Sequence, residues 1–385
     1  MKHFVPPDTL SYWERTSFFH PPDVAIIGSG IVGVSAALHL KEQNPNLQVA
    51  ILERGTLPFG ASTRNAGFAC FGSMTELLED LQRQPEDAVW ALVERRWRGL
   101  QALRERVGDA ALGYEPLGGY ELFRAEEAAM YQHCLENIEL FNEKIAEITG
   151  RTNAYQVASA AVSDFGFSNV KYLIVNRLEG QLHTGKMMSA LLRLAAERGV
   201  RFFNGMEITA LESAADDVEL QTTAGWTLRA ARVLVTTNGF AKRLLPDLDM
   251  HPARNQVLIT KPIPDLRVRG AFHYQQGYFY FRNVEDRILL GGGRHLAKAA
   301  EMTAEFGTTE LIRSNLEKLL TEVILPDQPY EIDNWWSGVL GVGISKTPIL
   351  REVQPRVFAA VRLGGMGIAI GSLVGEQAAE MVRHS

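Results

Sequence analysis

The 385-residue chain has only two cysteines, Cys70 and Cys134, too few for a disulfide framework, and neither sits in a C-x-x-C pair. So little cysteine fits a reducing compartment, and both residues read as small buried apolar groups. No apolar run approaches the ~18 residues of a membrane helix, and "MKHFVPPDTLSYWERTSFFHPP" holds no continuous apolar segment of the signal-peptide kind. Basic residues are not in excess. The 39 Lys and Arg stand against 45 Asp and Glu, a net charge of −6, which offers no general attraction to nucleic acid or anionic lipid. The nine histidines show neither H-x-x-x-H nor carboxylates at metal-ligand spacing, so no metal is expected. Repeats and low-complexity linkers are missing as well. These absences leave an ordinary globular chain, expected in the cytoplasm and long enough for two domains.

What is present is a phosphate-binding turn. "DVAIIGSG" is a short apolar run ending in glycine, a buried parallel strand. Ile31, Val34, Ala37 and Leu38 then share one helical face, and "LQVAILE" follows as a second buried strand. In this βαβ unit Gly28 permits the tight turn. Gly30 lets the backbone, with Ile31 and Val32, approach a pyrophosphate, and Gly33 lets helix and strand pack closely. The helix N-terminus adds a favourable dipole. Glu53 ends the second strand, twenty residues after Gly33, where a carboxylate accepts ribose hydroxyls and repels a 2′-phosphate. Arg54, beside it, joins the candidate set.

Further along, a proline- and aromatic-rich arm, residues 1–22, reads as laid over a domain. Helical spacing runs from Pro85 to Val107 and again over 126–148, with the strand "GGYELF" between. The βαβ rhythm returns at "EGQLHTGKMMSALLRLAAERGV", where Thr184 is expected to cap a helix that Gly199 ends. A hairpin then feeds a buried strand finishing at Thr237, Asn238 and Gly239. "NQVLITKPI", "GYFYFRN" and "RILLGGGR" have the alternation of an antiparallel sheet. The fold class expected is α/β: a Rossmann-like nucleotide domain assembled from 1–100, 171–247 and 336–385. An inserted α+β substrate domain with an antiparallel sheet takes 101–170 and 248–335.

Two features favour a flavin over a nicotinamide. The chain returns to a glycine-rich strand–turn–helix, "LGGMGIAIG", whose helix dipole would stabilise charge on a reduced flavin ring by about 0.3–1 kcal/mol. "GASTRNAGFACFGS" is a loop of small residues with bare amides, suited to a flat ring and a pyrophosphate.

With "AIIGSGIVGVSAALHL", "GASTRNAG", "GQLHTGKMMSALLRLAAERGV", "ARVLVTTNGFA", "WWSGVLGVGISKTPIL" and "RVFAAVRLGGMGIAIGSLVGEQAAEMV" in this order, the chain resembles the D-amino-acid oxidase and glycine oxidase superfamily of FAD-dependent oxidoreductases. "ASTRNAG" and "NGFAKRLLPDL" are nearest to its gamma-glutamylputrescine oxidase-like branch. The resemblance implies FAD, with Ser62, Thr63, Arg64, Asn65, Ala66, Gly67 and Phe68 along the pyrophosphate and ring. It sets Ile208 by the adenine, and Gly338, Gly365, Met366, Gly367 and Ile368 around the isoalloxazine. Relatives that tether flavin through histidine carry it in a loop like "ASTRNAG". Asn65 takes that place here, so the flavin is expected to be non-covalent. The implied reaction moves a hydride from an amine-bearing carbon to flavin N5, and the imine hydrolyses to a carbonyl.

Tyr278 matches a tyrosine that lines the substrate pocket in glycine oxidase-like proteins, and Tyr278 and Tyr280 could face one side. Tyr274, Arg282 and Arg294 complete the catalytic candidates. His295 could enter the cavity, His183 reads as structural, and Trp335 and Trp336 read as packing between domains. Glycine oxidase-like members carry a carboxylate-binding arginine shortly after W-x-G, where this chain has Val339 and Leu340. The lysine that sarcosine oxidase-like members hold over the flavin has no counterpart on "RILLGGGRHL". The substrate expected is a small-molecule amine, with oxygen or another electron acceptor. Alternatives are a 2-hydroxy-acid or glycerol-phosphate dehydrogenase, an RNA-modifying flavoprotein, an NAD-dependent dehydrogenase, or a non-catalytic FAD-binding subunit.

Overall fold

A computed structural model describes residues 9–385. The first eight residues of the expected arm lie outside the described residues. Tyr12, Trp13 and Phe18 are exposed, and only the end of the arm packs on the first of two units: Phe19 stacks on Phe203 at 5.3 Å and meets Trp226 at 4.7 Å.

The first unit takes the chain up to residue 63, 185–252 and 340–385. Its six-stranded sheet has the order Ile349–Gln354, Val357–Val361, Arg232–Val235, Val24–Ile27, Val49–Glu53, Arg201–Asn204. All neighbours are parallel except the antiparallel edge strand Ile349–Gln354. Every residue of Val24–Ile27 and Val49–Glu53 is buried, as strands covered on both faces require. Helices Ile31–Gln43 and Gly367–Arg383 cross closely because small residues meet there. A Cβ on Gly371 would lie 2.7 Å from Ile31 Cγ2, and one on Gly375 2.7 Å from Val32 O. A three-stranded sheet, Ile208–Ser213, Val218–Thr222 and Thr227–Ala230, completes the unit.

The second unit takes residues 64–184 and 253–339. Its core is an eight-stranded mixed sheet, ordered Ile332–Val342, His251–Thr260, Arg287–Gly292, Phe279–Val284, Ala271–Tyr274, Gly119–Phe123, Tyr172–Asn176, Tyr155–Val157. One face buries Tyr120, Phe272 and Phe281 under helix Glu310–Leu319, an element not expected from the sequence. On the other, Phe71, Phe123 and Ile174 pack with helices Met74–Arg83, Glu86–Val107 and Ala128–Thr149.

Several expectations need correction. Residues 64–100 and 171–184 belong with the sheet-bearing unit, because Phe71, Met74, Leu77 and Val93 share one core with Phe123 and Ile174. Thr184 is the first residue of helix Thr184–Glu197, and its hydroxyl donates to Asn65 Oδ1 at 2.8 Å. Trp335 and Trp336 pack inside the second unit. Trp335 lies against its aromatic core with Arg313 over its ring, and Trp336 Nε1 donates to Arg64 O. Tyr278 stands in the turn before strand Phe279–Val284, so it does not alternate with Tyr280 along one strand.

Candidate active site

In the first unit the turn after Val24–Ile27 is built as the glycines demand. Gly28 holds φ +104°, and a Cβ on Gly33 would lie 2.1 Å from Gly28 O and 2.7 Å from Thr236 Oγ1. Gly30 is different. A Cβ there would meet only Ser62 Oγ at 2.9 Å and Ser62 Cβ at 3.8 Å. Helix Ile31–Gln43 has no side-chain cap at Gly30, although Ser62 Oγ accepts Ile31 N at 2.9 Å. The start of this helix therefore presents backbone N–H groups and a positive dipole end.

Glu53 is buried, and its carboxylate shapes this turn. Oε2 accepts Ser29 N at 3.1 Å and Ser29 Oγ at 2.8 Å, while Oε1 accepts Gly55 N at 2.9 Å. Met206 N donates to Glu53 O, which brings the start of strand Ile208–Ser213 alongside. Arg54 lays its guanidinium over Phe240 at 3.9 Å. Thr237 Oγ1 is buried without a hydrogen-bond partner. Asn238, at φ +43°, accepts Arg362 N at 3.0 Å, and the next residue, Gly239, is buried. Gly364 and Gly365, at φ +59° and +92°, turn the chain into helix Gly367–Arg383, which has no side-chain cap at Met366. Ile368 is buried at its start.

In the second unit the loop 64–68 is held from three sides. Arg64 Nη1 donates to Ser337 O at 3.0 Å, its guanidinium lies over Phe306, and Gly338 leaves 3.4 Å between its would-be Cβ and Arg64. Asn65 Oδ1 accepts Gly67 N at 2.8 Å as well as Thr184 Oγ1. Gly67 takes φ +76°, where a Cβ would strike Leu182 O at 2.3 Å.

Arg282 is neither a surface charge nor a free substrate ligand. It is buried and donates to the carbonyls of Ala66, Leu182 and Asn283, bracing the loop. Burial pushes its guanidinium down to about 10.

Strand register sets a transverse row on one sheet face: Val257, Gly291, Tyr280, His273, Glu121, Ile174. Phe68 meets His273 and Tyr280 edge-on at 5.2 and 5.5 Å. Gly291 is required there, since a Cβ would lie 2.7 Å from the Tyr280 ring. Burial pushes the His273 imidazole down to about 4, so it is neutral, and its Nε2 has no partner.

Cys70, Glu179 and His273 place ligand-type atoms within 4.8 Å of one another. Positions so far apart in the chain carry no spacing signal. Glu179 Oε1 already accepts Phe71 N and Gly72 N, and burial raises the Cys70 thiol well above its ordinary range.

A cavity of about 260 Å³ opens at the end of this sheet. Tyr278 and His295 line it, with ring centroids 4.5 Å apart, together with Glu121, Glu127, Phe123 and Gln275. Tyr274 is instead buried against Phe279, and Arg294 stands on the turn Arg294–Ala297 away from the lining. Glu121 and Glu127 were not expected from the sequence. A glutamate in an apolar strand and one at a helix start have no motif.

The model of the DAO family, FAD dependent oxidoreductase, matches residues 23–381. The chain belongs to the DAO family of FAD-dependent oxidoreductases. This DAO-family chain is 24% identical over 387 residues to gamma-glutamylputrescine oxidoreductase of Escherichia coli, covering 94% of this chain and 83% of that protein. It is 25% identical over 389 residues to glycine oxidase of Geobacillus kaustophilus, covering 95% and 94%. The crystal structure of that glycine oxidase shares the fold at TM-score 0.75 and 23% identity, covering 95% of both chains. L-proline dehydrogenase from P. horikoshii shares it at 0.74 and 17% identity, covering 94% of both.

FAD is thus the cofactor of this DAO-family chain, and the first unit fits it. The open space at Gly30, the uncapped helix and the unpartnered Thr237 Oγ1 are the features a bound pyrophosphate and ribose would use. Among the described residues, no helix is long and apolar enough to cross a membrane.

Proposed function

We propose that this DAO-family chain oxidises the carbon–nitrogen bond of an amine that carries no α-carboxylate. The observation behind this reading is strand Ile332–Val342. Val339 is buried and Leu340 follows it, at the place where the resemblance to glycine oxidase expects a carboxylate-binding arginine. An apolar pair there cannot compensate a carboxylate, and leaving that charge buried and unpaired costs several kcal/mol. Arg282 cannot substitute, being committed to three carbonyls.

FAD, when bound, supplies the hydride acceptor for the carbon that bears the nitrogen. The chain orients the amine and excludes water. On the cavity lining, burial and the charges of Lys298 and Arg294 lower the His295 pKa, so the ring is neutral. An amine that binds neutral needs no strong base, and the imine released hydrolyses to a carbonyl.

The test is anaerobic bleaching of the flavin by monoamines and diamines against glycine, sarcosine and D-alanine. Amines should reduce the flavin rapidly and the small amino acids slowly. Rapid reduction by the amino acids, retained in Arg294→Ala, overturns the reading. Admitting air afterwards measures whether oxygen is the electron acceptor.

A further inference from the structure

Resting on the amine reading above, we propose that the second-unit cavity takes a second, distal ammonium group of the substrate, with Glu121 as its anionic partner. The substrate class is then a diamine or longer polyamine whose reacting nitrogen is neutral and whose far nitrogen stays charged. Three observations support this.

The first is the sign of the lining. Glu121 and Glu127 face the cavity, and no lysine or arginine lines it. The cations whose charges reach lining residues are Arg294 and Lys298, which act on His295, and Arg124. Its charge acts on Glu127, but its side chain is directed to Glu126 at 3.8 Å and over the Tyr274 ring.

The second is the state of Glu121, which is 4% exposed. Its carboxylate accepts Thr75 N at 3.2 Å and the Thr75 hydroxyl, which orients it, and no cationic side chain pairs with it among the described residues. Burial, reinforced by the charge of Glu76, raises its carboxyl to about 7. An arriving ammonium supplies the missing countercharge in a low-dielectric site, where the attraction is far stronger than in water.

The third is a neutral group on the same lining. His295 Nδ1 is buried with no hydrogen-bond partner, so an acceptor is left open on the same cavity. The Tyr278 and Phe123 rings add apolar and π surface for an alkylammonium. At about 260 Å³ the space suits an alkylammonium arm and is below the usual size of a pocket for a whole drug-sized ligand.

The experiment uses the FAD-loaded enzyme and anaerobic stopped-flow reduction, comparing 1,4-diaminobutane with n-butylamine and 1,5-diaminopentane with n-pentylamine. The wild-type enzyme should bind each diamine at least tenfold more tightly than its monoamine, with similar limiting reduction rates. Glu121→Gln keeps a carbonyl for Thr75 to donate to but removes the charge. It should cut the preference to near unity through a loss of diamine affinity. A wild-type ratio near one overturns the proposal whether or not the variant accumulates, and so does a preference that survives in Glu121→Gln. Reduction by monoamines without a diamine preference sinks only the distal site. Failure of every amine, with reduction by the small amino acids, sinks the amine reading and the distal site with it.

Discussion

Gly30 and Gly33 lie three residues apart in one motif, yet the structure assigns them different jobs, and substituting each separates the two. At Gly33 a methyl group would sit 2.1 Å from the Gly28 carbonyl oxygen and 2.7 Å from Thr236 Oγ1. The first obstacle is backbone, so the helix must withdraw from the strand by roughly 1 Å to restore ordinary contact distances. Overpacking of this kind costs about 1–3 kcal/mol. At about 2–4 °C per kcal/mol for domains of 150–250 residues, Gly33→Ala should melt roughly 2–12 °C lower. At Gly30 the added atom meets only the rotatable Ser62 hydroxyl at 2.9 Å. Displacing it sacrifices one hydrogen bond to Ile31 N, about 0.5–1.5 kcal/mol. Gly30→Val should therefore fold with a small loss of stability and lose its flavin, since the branched side chain fills the space the pyrophosphate needs. Melting curves with and without added FAD, and the flavin-to-protein ratio from absorbance, read both effects. A Gly30→Val protein with a full flavin complement would refute the placement of the phosphates. A Gly33→Ala protein that melts like the wild type would refute the packing argument.

Acid precipitation should leave the flavin in the supernatant, because Asn65 offers no nucleophile where relatives tether flavin; a yellow pellet contradicts this. Arg282→Met should leave the buried carbonyls of Ala66, Leu182 and Asn283 without their donor, at ~1–3 kcal/mol for each unsatisfied acceptor, so denaturant melting should shift strongly. An unshifted melt with a raised KM would make Arg282 a substrate ligand instead. Glu121 and Glu179 are held near pKa 7, well above their ordinary 4.5, so the folded state binds more protons than the unfolded one between these values. The stability tied to their protonated forms is complete below pH ~4.5 and is lost as pH rises through 7, by up to ~3 kcal/mol each. His273, depressed to about 4, acts in the opposite sense below pH ~6.5. The comparison must therefore be wild type against Glu121→Gln/Glu179→Gln. The variant's stability relative to wild type should grow from pH 5 to 8, and a difference independent of pH would contradict the shifts.

Parts of the site were legible in the chain because they depend on neighbours in sequence. The turn 28–33 and the acid at Glu53 work through local geometry, a strand, a tight turn and a helix start, and glycine spacing reports that geometry. The turn at 364–367 was readable for the same reason. Arg282 was misjudged because a charged residue in an aromatic strand has no local signature. Its three acceptors come from the loop at Ala66, the strand end at Leu182 and its own neighbour Asn283. Tyr278 lines the cavity, but its expected alternation with Tyr280 failed because the turn reaches one residue further than the apolar pattern shows.

The sequence by itself determined the dinucleotide fold, the cofactor class and the two-domain character, since hydrophobic period and glycine placement act within some thirty residues. Only the tertiary structure decided which polar groups meet. The row Tyr280–His273–Glu121 exists because the parallel pairing of Ala271–Tyr274 with Gly119–Phe123 joins strands about 150 residues apart. The same pairing carries a carboxylate from a segment without any motif to the edge of the cavity. Burial there, not residue type, sets its charge, because the cost of ionising a carboxylate depends on the solvent and counterions that the fold leaves around it.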